Sequence, residues 1–331
     1  ADTAPQRFVG RERNLNQLNP EIGVTGDIRA YAQANGAQRD NFDAREVEIG
    51  FQSALDPYSH TKIFVALEGG EVDIEEAYAY WTGLPGRVRL DLGKFRQQIG
   101  ELNRWHLHAL PETEYPLALT TYAGEEGLVA TGLSLYWAAP TSGALGIHEF
   151  SAQATQGANQ GLFDGGNRLA VLGHVNNFWQ VNPSTYFQVG ATGVYGTNPD
   201  TALKTTLGGL DLRLTWRPPA RALYREWTLR GELFGIQKER SGAGQTRYGG
   251  YVSTTYRLDR RWIAGIRLDY VEAPEGPKAI VRQLVPSLTL WQSEWVYLRG
   301  QYVHRRDVTG TTGQVALQAV WAIGPHKHEI Y

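Results

Sequence analysis

The chain contains no cysteine, no methionine and no run of residues that reads as a membrane helix. A cysteine-free chain suits an oxidising envelope compartment, and with alanine first no lipid anchor is expected. Without methionine, Ala1 is not a translational start, and a removed secretory leader is expected. Residues 127–148 and 169–199 lack Asp, Glu, Lys and Arg. Each carries Pro, Asn, Ser, Thr or Gly in its middle, which excludes a spanning helix, as does a mean hydropathy of -0.38. Positive charge is not in excess either: at net -2 there is no footprint for nucleic acid. His-Glu-x-x-His, Gly-x-Ser-x-Gly and phosphate-loop patterns are also missing, so no enzyme activity and no cofactor are expected.

What is present is alternation. In residues 210–216, Leu210, Leu212, Leu214 and Trp216 share one face of an extended strand, and Asp211, Arg213 and Thr215 share the other. After the turn Arg217-Pro218-Pro219-Ala220-Arg221 the pattern resumes, with Trp227, Leu229 and Leu233 set against Thr228, Arg230 and Glu232. Such an antiparallel hairpin suits a sandwich with its charged face in bulk water. It equally suits an outer-membrane barrel with its charged face in a wet lumen.

Copy number and spacing separate the two. Alternating segments fall at 21–33, 45–55, 61–68, 72–82, 87–100, 128–137, 145–157, 168–181, 185–196, the two strands of the hairpin, 247–258, 262–272, 280–291, 295–305 and 313–322, which makes sixteen. In the fourth, Ile74, Tyr78 and Tyr80 oppose Asp73 and Glu75. In the second, Arg45 falls on the apolar parity. Tight turns at 56–60, 84–86, 140–143, 182–184, 217–221, 258–261 and 292–294 alternate with mostly longer polar loops. Nine of the ten Trp residues lie near a tight turn or the end of the last strand, as in a bilayer interface belt, and Trp105 alone does not. The expected fold is therefore all-β, a 16-stranded antiparallel transmembrane β-barrel with short periplasmic turns. Residues 1–18 read as a periplasmic arm, 19–324 as the barrel and 325–331 as a tail. A four-bladed propeller would not tolerate the charged face, and no 40-residue repeat recurs.

At Arg89-Leu90-Asp91-Leu92-Gly93-Lys94-Phe95-Arg96, followed by a long loop and the strand at 128–137, the chain resembles the phosphate-selective porin family, as it does in Glu75-Glu76-Ala77-Tyr78. The resemblance implies a sixteen-stranded pore of the bacterial outer membrane, commonly a homotrimer, whose third loop folds inward as a constriction. No Lys-rich loop cluster is present to carry that family's phosphate site.

By alternation the inward charges include Arg29, Lys62, Arg87, Arg89, Arg213, Arg230, Arg267 and Arg299, with Asp27, Glu46, Glu48, Glu68, Asp73, Glu75, Asp91, Asp211, Glu232 and Asp269. A basic side chain turned to mid-bilayer costs roughly 2 to 4 kcal/mol, and a wet lumen removes that cost. Because the signs nearly balance, most should form cross-strand ion pairs, leaving weak charge selectivity of unset sign. The segment 101–127 is the expected constriction. It carries Glu101, Arg104, Trp105, His106, His108, Glu112, Glu114, Glu125 and Glu126, and Arg96 just before it faces the narrowing. His106 with His108, and His326 with His328, offer two ligands each; two ligands close no site, and no metal is expected. Function is expected to be passive diffusion of small hydrophilic solutes or ions, with membrane lipid, solutes and further copies of the chain as partners. The alternative is a structural barrel with a closed lumen, its arm 1–18 bound to an envelope protein.

Overall fold

The computed structural model describes residues 20–34, 40–141, 145–200, 203–240 and 244–324. The expected arm 1–18 and tail 325–331, with His326 and His328, lie outside the described residues. Sixteen strands run antiparallel to their neighbours and close into a ring, with the first paired to the last. They are β1 (Glu21–Gln33), β2 (Asp40–Ala54), β3 (Ser59–Glu68), β4 (Glu71–Trp81), β5 (Val88–Arg96), β6 (Val129–Ala138), β7 (Ile147–Gln156), β8 (Leu169–Asn182), β9 (Thr185–Thr197), β10 (Lys204–Trp216), β11 (Glu226–Lys238), β12 (Thr246–Arg257), β13 (Trp262–Glu272), β14 (Ile280–Trp291), β15 (Val296–Asp307) and β16 (Gly310–Ile323). The expected fold is thus observed, and no described helix is long and apolar enough to cross a membrane.

Period-two patterning sets which way each strand faces. On β10 and β11, Leu210, Leu212 and Leu233 are 59%, 39% and 54% exposed on the outside, whereas Asp211 and Glu232, paired across the ladder, are buried within. Among the described residues, no second sheet or helix packs on the outer leucines. That apolar exterior is far larger than a soluble monomer exposes. Tryptophans mark the turn end, where Trp216 pairs with Trp227 across the ladder and Trp137 and Trp179 stack on Phe150 and Phe187. In the turn before β3, the Asp56 carboxylate accepts from the Ser59 hydroxyl and from the Tyr58 and Ser59 amides, which holds its pKa below the usual range.

Among the described residues three register shifts break strict alternation; one leaves Val181 unpaired beside the β8–β9 turn, and the other two reach the lumen. Between β1 and β2 the register shifts as Asp27 pairs with Glu46 and Ile28 with Ala44, so Arg45 is an extra residue. Between β3 and β4 it shifts as Phe64 pairs with Glu76 and Val65 with Ile74, so Glu75 is extra. Beyond each bulge the parity inverts. Arg45 is therefore buried inside, and Tyr78 and Tyr80 face the lumen, where the Arg89 guanidinium lies 4.0 Å from the Tyr80 ring centre. The expectation that these three belong to the outer face is corrected here, because one added residue exchanges the two faces.

The fifth strand also differs. It ends at Arg96, and residues 97–100 turn into the barrel through Gly100, whose φ of 60° is costly for any residue with a Cβ. A Cβ there would sit 2.2 Å from a carboxylate oxygen of Glu232. At its start the strand is preceded by a 3-10 turn, Pro85–Arg87. Arg87 is exposed in that turn and does not line the lumen, because the first inward position is Arg89.

Candidate functional site

Residues 97–128 leave the wall between β5 and β6 and cross the lumen. Asn103 fastens the base of this loop: its amide donates to the Gln97 and Leu128 carbonyls, 2.8 and 3.0 Å, and accepts from the Leu128 amide at 2.7 Å. The loop first meets β9 and β11. There Thr192 Oγ1 accepts from Gly100, and Glu232 Oε1 accepts from the amides of Glu101 and Leu102 at 3.0 Å each. Arg213 and Arg230 close on the Glu101 carboxylate at 2.7 and 3.4 Å.

His106 and His108 then reach β2 and β4, which flank the point diametrically opposite β11 in the ring. His106 Nδ1 lies 2.6 Å from Glu48 and 2.8 Å from Glu75, and its Nε2 lies 3.0 Å from Glu76. Arg96 pairs with Glu75 at 3.1 Å and lies 3.9 Å from Glu76. Farther on, Tyr297 Oη donates to the His108 carbonyl, Arg299 to the Leu110 carbonyl and Arg45 to the Thr113 carbonyl, while Gln301 holds both ends of Thr113. The return passes β13: Arg267 pairs with Glu112 and Asp269 at 3.1 and 2.9 Å and donates to the Glu114 carbonyl. Asp269 accepts from Leu117, the first residue of α1 (Leu117–Ala123). Arg29 bonds Glu114 and Asp43.

An apolar core inside the barrel backs this polar lacing. Leu102, Leu119, Tyr122 and Leu128 of the loop pack with Leu207, Phe234, Ile236, Tyr251 and Val271 of β10 to β13, and with Leu162 and Phe163 of the helical turn α2 (Gln160–Phe163). Tyr122 Oη also donates to the Glu272 carbonyl at 3.1 Å. Trp105, the tryptophan outside the belt, is buried in this core, with the Arg230 guanidinium 5.1 Å from its ring.

The loop leaves a polar cavity on each side. Toward the turn end, ≈ 400 Å³ is lined by Tyr78, Arg89, Asp91, Glu101, Arg104, Glu149, His174 and Arg213, among others. Toward the loop end, ≈ 590 Å³ is lined by Arg29, Arg45, Glu46, Glu75, Glu114, Glu125 and Glu126, among others. Arg96 lines both. Arg104 donates to Gln98 and has no ion pair among the described residues; Lys62 is half-buried on the inner parity of β3. Sequence reading missed Arg45, Glu76, Tyr78 and Tyr80. The adjacent polar pairs Arg45-Glu46 and Glu75-Glu76, each interrupting an alternating strand, were the signals available.

No family model matches the chain. It is 25% identical over 307 residues to an uncharacterized protein of Aquifex aeolicus (strain VF5), a match that covers 81% of this chain and 63% of that protein's length. Among solved structures it resembles the anion-selective porin from Comamonas acidovorans (TM-score 0.65, 9% identity, 91% of this chain and 98% of that one). It also resembles OmpF of Salmonella typhi (0.64, 10%, 93% and 99%) and the outer membrane channel DcaP of Acinetobacter baumannii (0.62, 11%, 92% and 96%). The architecture is that of outer-membrane porins.

Proposed function

We propose that the chain is an outer-membrane porin through which small hydrophilic solutes or ions diffuse passively, and that it catalyses no reaction. The observation that carries this reading is the pair of charged cavities on either side of loop 97–128, joined at Arg96 inside a wall whose outer face is apolar. Such a lumen is hydrated, and the loop is its narrowing. The turn-side cavity has four carboxylates and four arginines. The loop-side cavity has seven carboxylates, Asp43, Glu46, Glu68, Glu75, Glu114, Glu125 and Glu126, against four arginines. This excess supports a mild preference for cations. Loop 97–128 contains no lysine. In our reading the likeness to phosphate-selective porins therefore extends to architecture and not to their phosphate site. A homotrimer is proposed as well, supported by the resemblance and by a structural neighbour, OmpT of Vibrio cholerae, described in a trimer form.

Reconstitution in planar bilayers tests the proposal. Discrete conductance steps are expected, with a reversal potential in a KCl gradient on the cation side of zero. The apolar packing of the loop against β10 to β13 favours the alternative of a closed structural barrel, and a folded protein that stays silent would establish that alternative instead. Native electrophoresis of the detergent-extracted protein reads the oligomer, expected at three chains.

A further inference from the structure

The Glu48 and His108 side chains meet Glu46 in a pocket under the loop, and we propose that these three residues bind a divalent first-row transition cation, with Glu75 and His106 as its supporting shell. The nearest donor atoms of Glu46, Glu48 and His108 all lie within 4.8 Å of one another, and the same holds for Glu48, Glu75 and His106. A shell at about 2.1 Å separates its ligands by roughly 3 Å, so rotations moving each donor by about an ångström close it. Two carboxylates and an imidazole suit zinc, cobalt or manganese better than calcium, which takes oxygen donors only.

Glu46 supplies the independent observation. Its side chain comes from the strand bulged at Arg45 and is 4% exposed. Its Oε1 has no hydrogen-bond partner among the described residues, and no ion pair to it is found there. An ionised carboxylate without a partner is costly in such a place, and burial of this kind is ordinarily compensated by pairing or by a metal.

Charge points the same way. Glu46, Glu48, Glu75 and Glu76 converge on this pocket, while the cations beside them are Arg96, bound to Glu75 and Glu76, and His106, both of whose ring nitrogens are held by carboxylates. Arg45 turns instead to Asp27 and Thr113. A divalent ion beside Glu46 adds positive charge where these four carboxylates gather. His108 Nδ1 stands 3.9 Å from Glu48, beyond hydrogen-bond reach but placed to share an ion with it. His106 Nδ1 holds the same Glu48 oxygen at 2.6 Å, as an outer-shell partner does for a metal-bound carboxylate. Glu46 also lines the loop-side cavity, which gives the ion a route from solvent. Bound there, the ion ties the loop to β2.

The test is calorimetric titration of zinc chloride into EDTA-washed, folded protein in detergent, carrying His326→Ala and His328→Ala so that the tail histidines do not contribute. One zinc per chain is expected with a micromolar or tighter Kd, weakened at least tenfold by Glu46→Gln and by His108→Gln and unchanged by Glu125→Gln. Absence of binding overturns the proposal. So does binding that both substitutions leave intact, or a calcium affinity equal to that for zinc. Should a variant fail to fold, cobalt added to the parent protein decides alone: a visible d–d absorption of nitrogen and oxygen ligation supports the site. A spectrum no different from aqueous cobalt refutes it and leaves Glu46 as a neutral acid.

Discussion

One loop meets two walls of different chemistry. Against β10 to β13 it buries Leu102, Leu119 and Tyr122 on inward Leu207, Phe234, Ile236 and Val271. Against β2, β4 and β15 it is laced by His106, Arg45, Arg299 and Tyr297 to carboxylates and carbonyls. Apolar packing is insensitive to ions and resists only the loss of volume. Ionic lacing depends on each partner being present, since removing one strands the other in a buried place. Both walls therefore hold the loop in the lumen, the first by packing and the second by paired charge.

Substitutions sharpen that division. Phe234→Ala empties a fully buried site in the apolar wall and should lower the unfolding free energy by about 3 to 5 kcal/mol, read from urea titrations in lipid vesicles. Arg267→Gln, on β13 where ionic lacing meets the apolar wall, leaves Glu112 and Asp269 without their cation, for a loss in the same range, about 3 to 5 kcal/mol. If Phe234→Ala were silent and Arg267→Gln severe, the loop would be held by charge alone. Asn103→Ala removes the three hydrogen bonds at the loop base. It should cost roughly 1 to 3 kcal/mol and make residues 97–128 cleavable by protease from the aqueous side. Glu114→Gln loosens a pair whose acid is half exposed, for under about 1 kcal/mol, while weakening the cation preference. Arg87→Gln, in the exposed turn, should leave both stability and reversal potential unchanged.

Much of this was legible in the chain. Leu212 and Arg213 declare their faces by parity alone, and turn residues such as Asp56-Pro57 place the strand ends, so strand number follows from spacing, while the inward loop was expected from the family resemblance. What parity alone could not give was the effect of a bulge: the inserted Glu75, marked in the sequence only by the polar pair Glu75-Glu76, turned Tyr78 and Tyr80 inward. Nor does alternation reveal that apolar residues on the inward parity, Leu207, Phe234 and Ile236, form a dock for a loop a hundred residues away. Likewise His106 and His108 offered too few ligands by themselves, because Glu46, Glu48 and Glu75 join them only through the inward fold of the loop.

A pore requires that the charged face of each strand be the wet one. The chain has no native thiol, so single cysteines at Leu212 and Arg213, neighbours on β10, can be compared in lipid bilayers with a membrane-impermeant, charged thiol reagent. Arg213→Cys should react and its current should fall, while Leu212→Cys should remain unlabelled with its current unchanged. Labelling at Leu212→Cys with none at Arg213→Cys would contradict a water-filled lumen inside an apolar wall.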